Sequence, residues 1–282
     1  MNSLIPLFAA ILQAGSFVTD KITLNIRGVS FKTYVGVSFP LIFLITFIIF
    51  LIFRPPLTAD LFVGNLGLFF IISIGTVITS NILYYRALKH DGLGEMEVLS
   101  LLVGVPVIIF SSAVFSDERK LYVVIPALLA ALAIIWSHWE GRHIHLARRT
   151  WPFFLFAFFS APFRSGMQKL LLVAWNPISL ELMQSAAVAV VLGILFWQQV
   201  RSINLKTFYL LVLTNVLTSV AWILVSFSIQ RSGIIYTGLL FSINPLLVYF
   251  SSVLFLGEKT NWKKNTAFAV VLLSIATVQV LS

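Results

Sequence analysis

The chain has 282 residues, 59% of them hydrophobic and only 10% charged, with 26 Phe and a mean hydropathy of +1.00. A soluble domain is about 45–50% apolar and about 25% charged, so this composition excludes a soluble globular protein and places the chain in a bilayer. The formal net charge of +9 fits basic loops against anionic headgroups rather than a nucleic-acid surface, and the absence of cysteine excludes disulfides, thiol nucleophiles and thiolate metal sites.

Crossing the hydrocarbon core takes about 20 residues at 1.5 Å per residue. Ten apolar runs of about that length follow one another: 3–21, 33–53, 62–88, 95–115, 121–138, 151–172, 178–199, 207–229, 234–256 and 264–281. They are hydrophobic all round, which argues for spans rather than surface helices. The first run has no basic segment before it and reads as a retained span, not a cleaved signal.

Taken in order, the runs differ in polarity. The first carries Gln13 and Ser16, and the third carries Asn81, Tyr84 and Tyr85. The fourth opens with Glu95 and Glu97 and has Pro106 at its middle. The fifth holds few polar groups. A hydrophilic stretch, HWEGRHIHLARR over 138–149, then separates it from the sixth, where Arg164 and Gln168 lie deep in FFSAPFRSGMQKL. The eighth run carries Asn215, Trp222 and Ser226, and the ninth carries Tyr236, Ser242 and Asn244 ahead of Pro245. The tenth resembles the fifth in carrying few polar groups.

This order repeats. SSAVFSDERK (111–120) and SSVLFLGEKT (251–260) superpose their Ser pairs, their Phe and Glu118 with Glu258. Pro106 matches Pro245, Lys21 matches Lys169, and YYRALKHDG (84–92) faces VSFSIQRSG (225–233). Two copies are therefore expected, residues 1–138 and 150–282, joined by a linker over 139–149. Because each holds five spans, an odd number, the second enters the membrane upside down. The expected fold is an all-α membrane protein of ten transmembrane helices in two inverted five-helix repeats, with its site between the halves. Thirteen of the 19 Lys and Arg residues fall on the side of the odd-numbered connections. By the positive-inside rule that side is cytoplasmic and both termini are outside.

An ionisable side chain at bilayer depth costs about 2.5–3.5 kcal/mol on insertion scales, so it needs a reason. Arg164 reads as an anchor for an anion or carboxylate in a water-filled cavity, or as a member of an internal ion pair. Glu97 reads as a partner for a substrate ammonium or for Arg164, or as a proton carrier. The alternative for Glu97 is a first-turn residue complementing the helix dipole. The candidate substrate-binding set is Gln13, Ser16, Asn81, Tyr84, Tyr85, Glu97, Arg164, Gln168, Trp222, Ser226, Tyr236 and Ser242, on spans 1, 3, 4, 6, 8 and 9. Any single neutral member can instead be glue between helices. Spans 5 and 10 are expected to be scaffold or a contact between protomers, which leaves monomer and homodimer both open. Glu118 and Glu258 read as loop-structuring or helix-capping groups. Glu140, His143 and His145 read as linker polarity rather than a metal site. No Gly-rich phosphate loop, Ser-His-Asp set or in-membrane histidine pair is present, so no enzyme activity, cofactor or metal is implied.

GSFVTDK in the first run, LYYRALKHDG leaving the third, the proline-centred fourth run and FSDERK together resemble the EamA unit of the drug/metabolite transporter superfamily. The second half resembles it again in FSINPLLVYFSSVLFLGEKT, with Gly257-Glu258 matching the family's Gly-Glu loop and Asp117 standing for that Gly in the first half. The resemblance implies a ten-helix carrier with a central cavity, moving small metabolites or drugs by alternating access. Both termini would then be cytoplasmic, against the charge distribution. The reading is a multi-pass secondary transporter of the cell (inner) membrane. Its substrate is an amino-acid-like zwitterion or a small organic anion, and it is expected to export. Coupling would be to protons or to a counter-substrate, and the remaining partners are lipid alone. A multidrug or lipophilic-cation efflux carrier and a non-transporting scaffold are the alternatives.

Overall fold

In the computed structural model the described residues are 4–58, 62–90, 93–137, 150–248, 251 and 262–281, and all regular structure among them is helical. The α-helices are α1 (Leu4–Asn25), α2 (Phe31–Phe53), α3 (Gly64–His90), α4 (Leu93–Val114), α5 (Leu121–Ser137), α6 (Trp151–Ala174), α7 (Pro177–Phe196), α8 (Leu205–Ser232), α9 (Ile234–Phe241) and α10 (Trp262–Leu281). Short 3-10 turns lie at Ser116–Glu118 and Trp197–Ser202. Early α4 is described by its backbone and Met96 alone.

Each apolar run of the sequence coincides with a helix, and the corners have local causes. Ser30 accepts from the Thr33 amide at 3.1 Å, Asn176 from Ile178 at 2.9 Å and Asn204 from Thr207 at 2.8 Å, so α2, α7 and α8 begin on side-chain caps. Pro177 occupies the first turn of α7, where its missing N–H costs nothing. The ninth run departs from the expected single span. Its helix stops at Phe241, turns through Ser242 and Ile243, and resumes over 244–248. Pro245 has no amide to donate back into the preceding turn and disfavours a helical residue before it. The Ser242 hydroxyl donates to the Leu239 carbonyl at 2.6 Å.

Six helices, α1, α2, α3, α7, α8 and α10, are long and apolar enough to cross a membrane. In α6 the residues Arg164, Gln168 and Lys169 dilute the apolar run, α5 has 17 residues and α9 is broken. Polarity is distributed inside out. Val280 is 84% exposed, Val173 82% and Ile194 74%, while Ser16, Asp20, Thr214 and Asn215 are buried. In water that surface is untenable; against lipid tails it is the stable one.

The halves interleave rather than sit side by side. α1 packs along α8, α3 along α6, α2 along α7, α5 along α10 and α4 along α6, and α1 also touches α9. Matching polar pins hold the helix ends. Lys89 of α3 donates to the Leu24 and Val29 carbonyls at the end of α1, and Lys21 of α1 donates to Leu88 at 2.7 Å. Gln230 of α8 donates to the Leu172 and Trp175 carbonyls at the end of α6, at 2.6 and 3.2 Å.

Candidate functional site: a polar cavity between the halves

A cavity of about 460 Å³ lies among α1, α2, α3, α4, α6, α7, α8 and α9; α5 adds only Ala127 and Ala131. From the sequence-predicted set it is lined by Gln13 (α1), Asn81, Tyr84 and Tyr85 (α3), Arg164 and Gln168 (α6), Trp222 (α8) and Ser242 at the break after α9. Asn244 and Pro245 complete that edge. One wall is aromatic: Tyr84 meets Tyr85, Phe153 and Phe17 at ring distances of 5.1, 5.5 and 6.0 Å. Broken helices are where membrane carriers expose backbone and short polar side chains to a solvated interior.

Three expected members do not line it. Ser16 is fully buried between α1 and α8, bonded to Thr214 and Thr218. Ser226 is buried behind Gln168, whose amide donates to it at 3.1 Å. Tyr236 faces away, toward α10, and accepts from Gln279 at 2.6 Å. In each case the hydroxyl is satisfied by a neighbouring helix, the ordinary fate of such groups in a bundle. The Glu97 side chain lies outside the described residues, as do the linker residues Glu140, His143 and His145 and the loop carrying Glu258.

Two lining helices, α2 and α7, were not expected from the sequence. α7 brings Glu181 and Gln184 into the cavity, the latter donating to Ser73 at 3.4 Å. Glu181 sits in the first turns of an otherwise uncharged helix, PISLELMQSAAVAVVLGILF. That one charge was a usable signal, although by position it resembles a residue complementing the helix dipole. The packing of α2 along α7 turns it inward.

Arg164 and Glu181 thus line one cavity from facing helices, and neither forms an ion pair among the described residues, where Lys169 makes the two pairs found. Gln13 Oε1 and Asn244 Oδ1 are buried acceptors with no hydrogen-bond partner among the described residues. A buried unmet polar group costs about 1–3 kcal/mol. The cavity is therefore lined by a residue of each charge, Arg164 and Glu181, with the polar side chains Gln13 and Asn244 beside them.

A second polar cluster lies where α6 and α9 meet the connection between α4 and α5. Glu118 is buried, accepts from the Ile234 and Ile235 amides at 2.6 and 3.1 Å, and receives Lys169 at 2.6 Å. It supplies the cap that Gly233 cannot, since Gly233 has no side chain to donate or accept at the start of α9. A Cβ on Gly233 would lie 2.6 Å from the Glu118 carboxylate, and its φ of +90 belongs to glycine. Lys169 also reaches the exposed Asp117 at 2.6 Å and holds that carboxyl below its usual range.

A solved structure titled only "Crystal structure of protein" shares this fold, with a TM-score of 0.75 at 14% identity over 99% of this chain and 98% of that one. No curated protein sequence matches the chain significantly. Residues 150–279, from α6 to the last turn of α10, match the EamA-like transporter family. That stretch is a little under half of the chain, and over it the chain is similar to the EamA-like transporter family.

Proposed function

We propose that the protein is a secondary carrier that moves a small zwitterionic metabolite, amino-acid-like, across the cell membrane by alternating access, outward in its physiological direction. The observation that carries this reading is the joint presence of Arg164 and Glu181, unpaired with each other, in one cavity. Each charge at depth is costly until it meets a partner. A ligand bearing both a carboxylate and an ammonium satisfies the two at once, and the volume suits a molecule of amino-acid size. The substrate-binding residues proposed are Arg164, Glu181, Gln13, Asn81, Tyr84, Tyr85, Gln168, Trp222, Ser242 and Asn244.

The proposed frame is ten spans in two inverted five-helix repeats, 1–138 and 150–282. The helix contacts support it. Exchanging each helix of the first half with its counterpart turns α1–α8 into α6–α3 and α4–α6 into α9–α1, and leaves α2–α7 and α5–α10 unchanged. The polar pins obey the same exchange: Lys89 on the Leu24 carbonyl corresponds to Gln230 on the Leu172 carbonyl. An odd number of spans in each half then sets the exchange axis in the membrane plane.

The test is uptake into proteoliposomes, with labelled neutral amino acids, organic acids and a lipophilic cation as substrates. Saturable uptake of the zwitterions, accelerated by unlabelled zwitterion on the far side, is expected. A scaffold shows none, and a channel shows no acceleration. The aromatic wall and Glu181 would also suit a lipophilic cation. Uptake confined to such cations, and strengthened by Arg164→Ala, would replace the zwitterion reading with drug efflux.

A further inference from the structure

Asp20 is the buried acid that the cavity does not account for. It sits near the end of α1 and is 1% exposed. Tyr34 of α2 and Thr214 of α8 both donate to its Oδ1. Thr214 Oγ1 meets Ser16 Oγ at 2.9 Å, and Ser16 Oγ meets Thr218 Oγ1 at 2.5 Å. Thr218 lines the cavity. On the other side the Tyr34 ring lies 4.7 Å from that of Tyr85, which also lines the cavity. A row of three hydroxyls therefore runs from the solvated cavity to a carboxylate beside the end of the bundle where α1 and α3 finish. Each hydroxyl carries one proton and two acceptor sites, so the row can donate in either direction.

Among the described residues no cation forms an ion pair with Asp20. From α2 it is faced by Tyr34, from α3 by Tyr85 and from α8 by Thr214. The neighbouring lysines, Lys21 and Lys89, reach the Leu88, Leu24 and Val29 carbonyls. α4 and α9 bring no charged group into ion-pair distance of it among the described residues. A carboxylate so placed is costly as an anion and cheap as an acid. Both hydroxyls donate to Oδ1.

We propose that Asp20 binds and releases the coupling proton of this carrier, and that Thr218, Ser16 and Thr214 form its path from the substrate cavity. The inference rests on the carrier reading for the word coupling, and on geometry alone for the proton site. In a bound state the acid is neutral and the hydroxyl row points one way. On release the proton passes to Thr214 as each hydroxyl hands on its own, and it leaves by the cavity.

The first test uses the unaltered protein in phosphatidylethanolamine–phosphatidylglycerol liposomes and needs no substrate. Dicyclohexylcarbodiimide adds to a protonated carboxyl in apolar surroundings, and peptide mass mapping finds the adduct. Labelling of Asp20 is expected at mildly acidic pH, falling about tenfold per unit once the acid is deprotonated, and indifferent to exchanging choline for sodium. No adduct at any pH, or labelling that does not change with pH, overturns the proton site. Protection by sodium overturns it in favour of a cation site. The second test is an imposed pH gradient across proteoliposomes with labelled neutral amino acids. Wild type should be accelerated about tenfold, and Asp20→Asn should lose that acceleration while keeping exchange of labelled for unlabelled amino acid. Retained acceleration in Asp20→Asn overturns the coupling role. If neither protein moves any amino acid, the carrier reading has failed, and the carbodiimide result alone decides whether Asp20 takes a proton.

Discussion

Arg164 lies in mid-helix on α6, just after Pro162, and lines the cavity. Arg164→Ala is expected to weaken binding of zwitterions and organic acids by at least about tenfold, or about 1.4 kcal/mol. Arg164→Lys should recover part of it, because a lysine keeps the charge but not the bidentate fork. Equilibrium binding to the detergent-solubilised protein measures both. Glu181→Gln should weaken ligands with an ammonium and leave monocarboxylates unchanged, a selectivity that general damage to the cavity does not produce. Gly233→Ala is expected to cost about 1–2 kcal/mol from the positive φ alone, plus the clash with Glu118, and to show as a lower melting temperature. The Asp117–Lys169 pair has a simple pH signature. Because the folded carboxyl is held below its ordinary value, its contribution is fully present above the unfolded value and fades as pH falls through the lower, folded one. At a site this exposed the loss should be small, and Asp117→Asn should abolish the corresponding step in a melt-versus-pH series.

At the level of elements, α9 depends on a residue from the other half of the chain. Glu118 gives two charge-assisted bonds to the first amides of α9 and a third to Lys169, each of the kind worth about 1.5–3 kcal/mol. Glu118→Ala should lower the melting temperature and raise amide exchange at Ile234 and Ile235 more than at the middle of α8. Glu118→Gln, which keeps an acceptor, should do so less. Equal exchange throughout the protein for both variants would show global loosening instead of a lost cap. The break after Phe241 is the other informative element. Its counterpart in the proposed repeat, α4, carries Pro106 yet remains one helix, whereas the ninth segment turns at Ser242. The two proline-bearing elements thus differ in shape despite their shared sequence pattern.

For the whole molecule, the inverted-repeat proposal makes a prediction about sidedness. The absence of native cysteine makes single reporters clean. Leu4→Cys and Leu281→Cys should react with an impermeant maleimide from one side of the membrane, and Arg27→Cys and Lys206→Cys from the other; all four positions are exposed. Leu4 and Leu281 reacting from opposite sides would mean an odd number of spans and would sink the ten-span frame. Whichever pair faces the cytoplasm also decides between the charge distribution, which puts the termini outside, and the habit of the resembled family, which puts them inside.

Helix positions were legible in the sequence because a bilayer imposes a length and an apolarity on every span, and both are local properties. The proposed repeat rests in the sequence on prolines, lysines and glutamates that keep their order, as Pro106 does with Pro245 and Lys21 with Lys169. Arg164 was legible because a guanidinium in mid-run has few bland explanations. Glu181, Asp20 and the roles of Ser16, Ser226 and Tyr236 were not. Which face of a helix meets the cavity depends on its rotation against its neighbours. In runs that are hydrophobic all round, no periodic pattern records that rotation. Glu181 and Asp20 sit near helix ends, where a charge can equally meet bulk water, and it is the packing of α7 on α2 and of α1 on α8 that places them inside the bundle. The sequence determined that this chain is a membrane protein built of apolar helices. The tertiary structure decided which polar groups share a cavity and which are spent holding the helices together, because that choice is made by contacts between residues far apart in the chain.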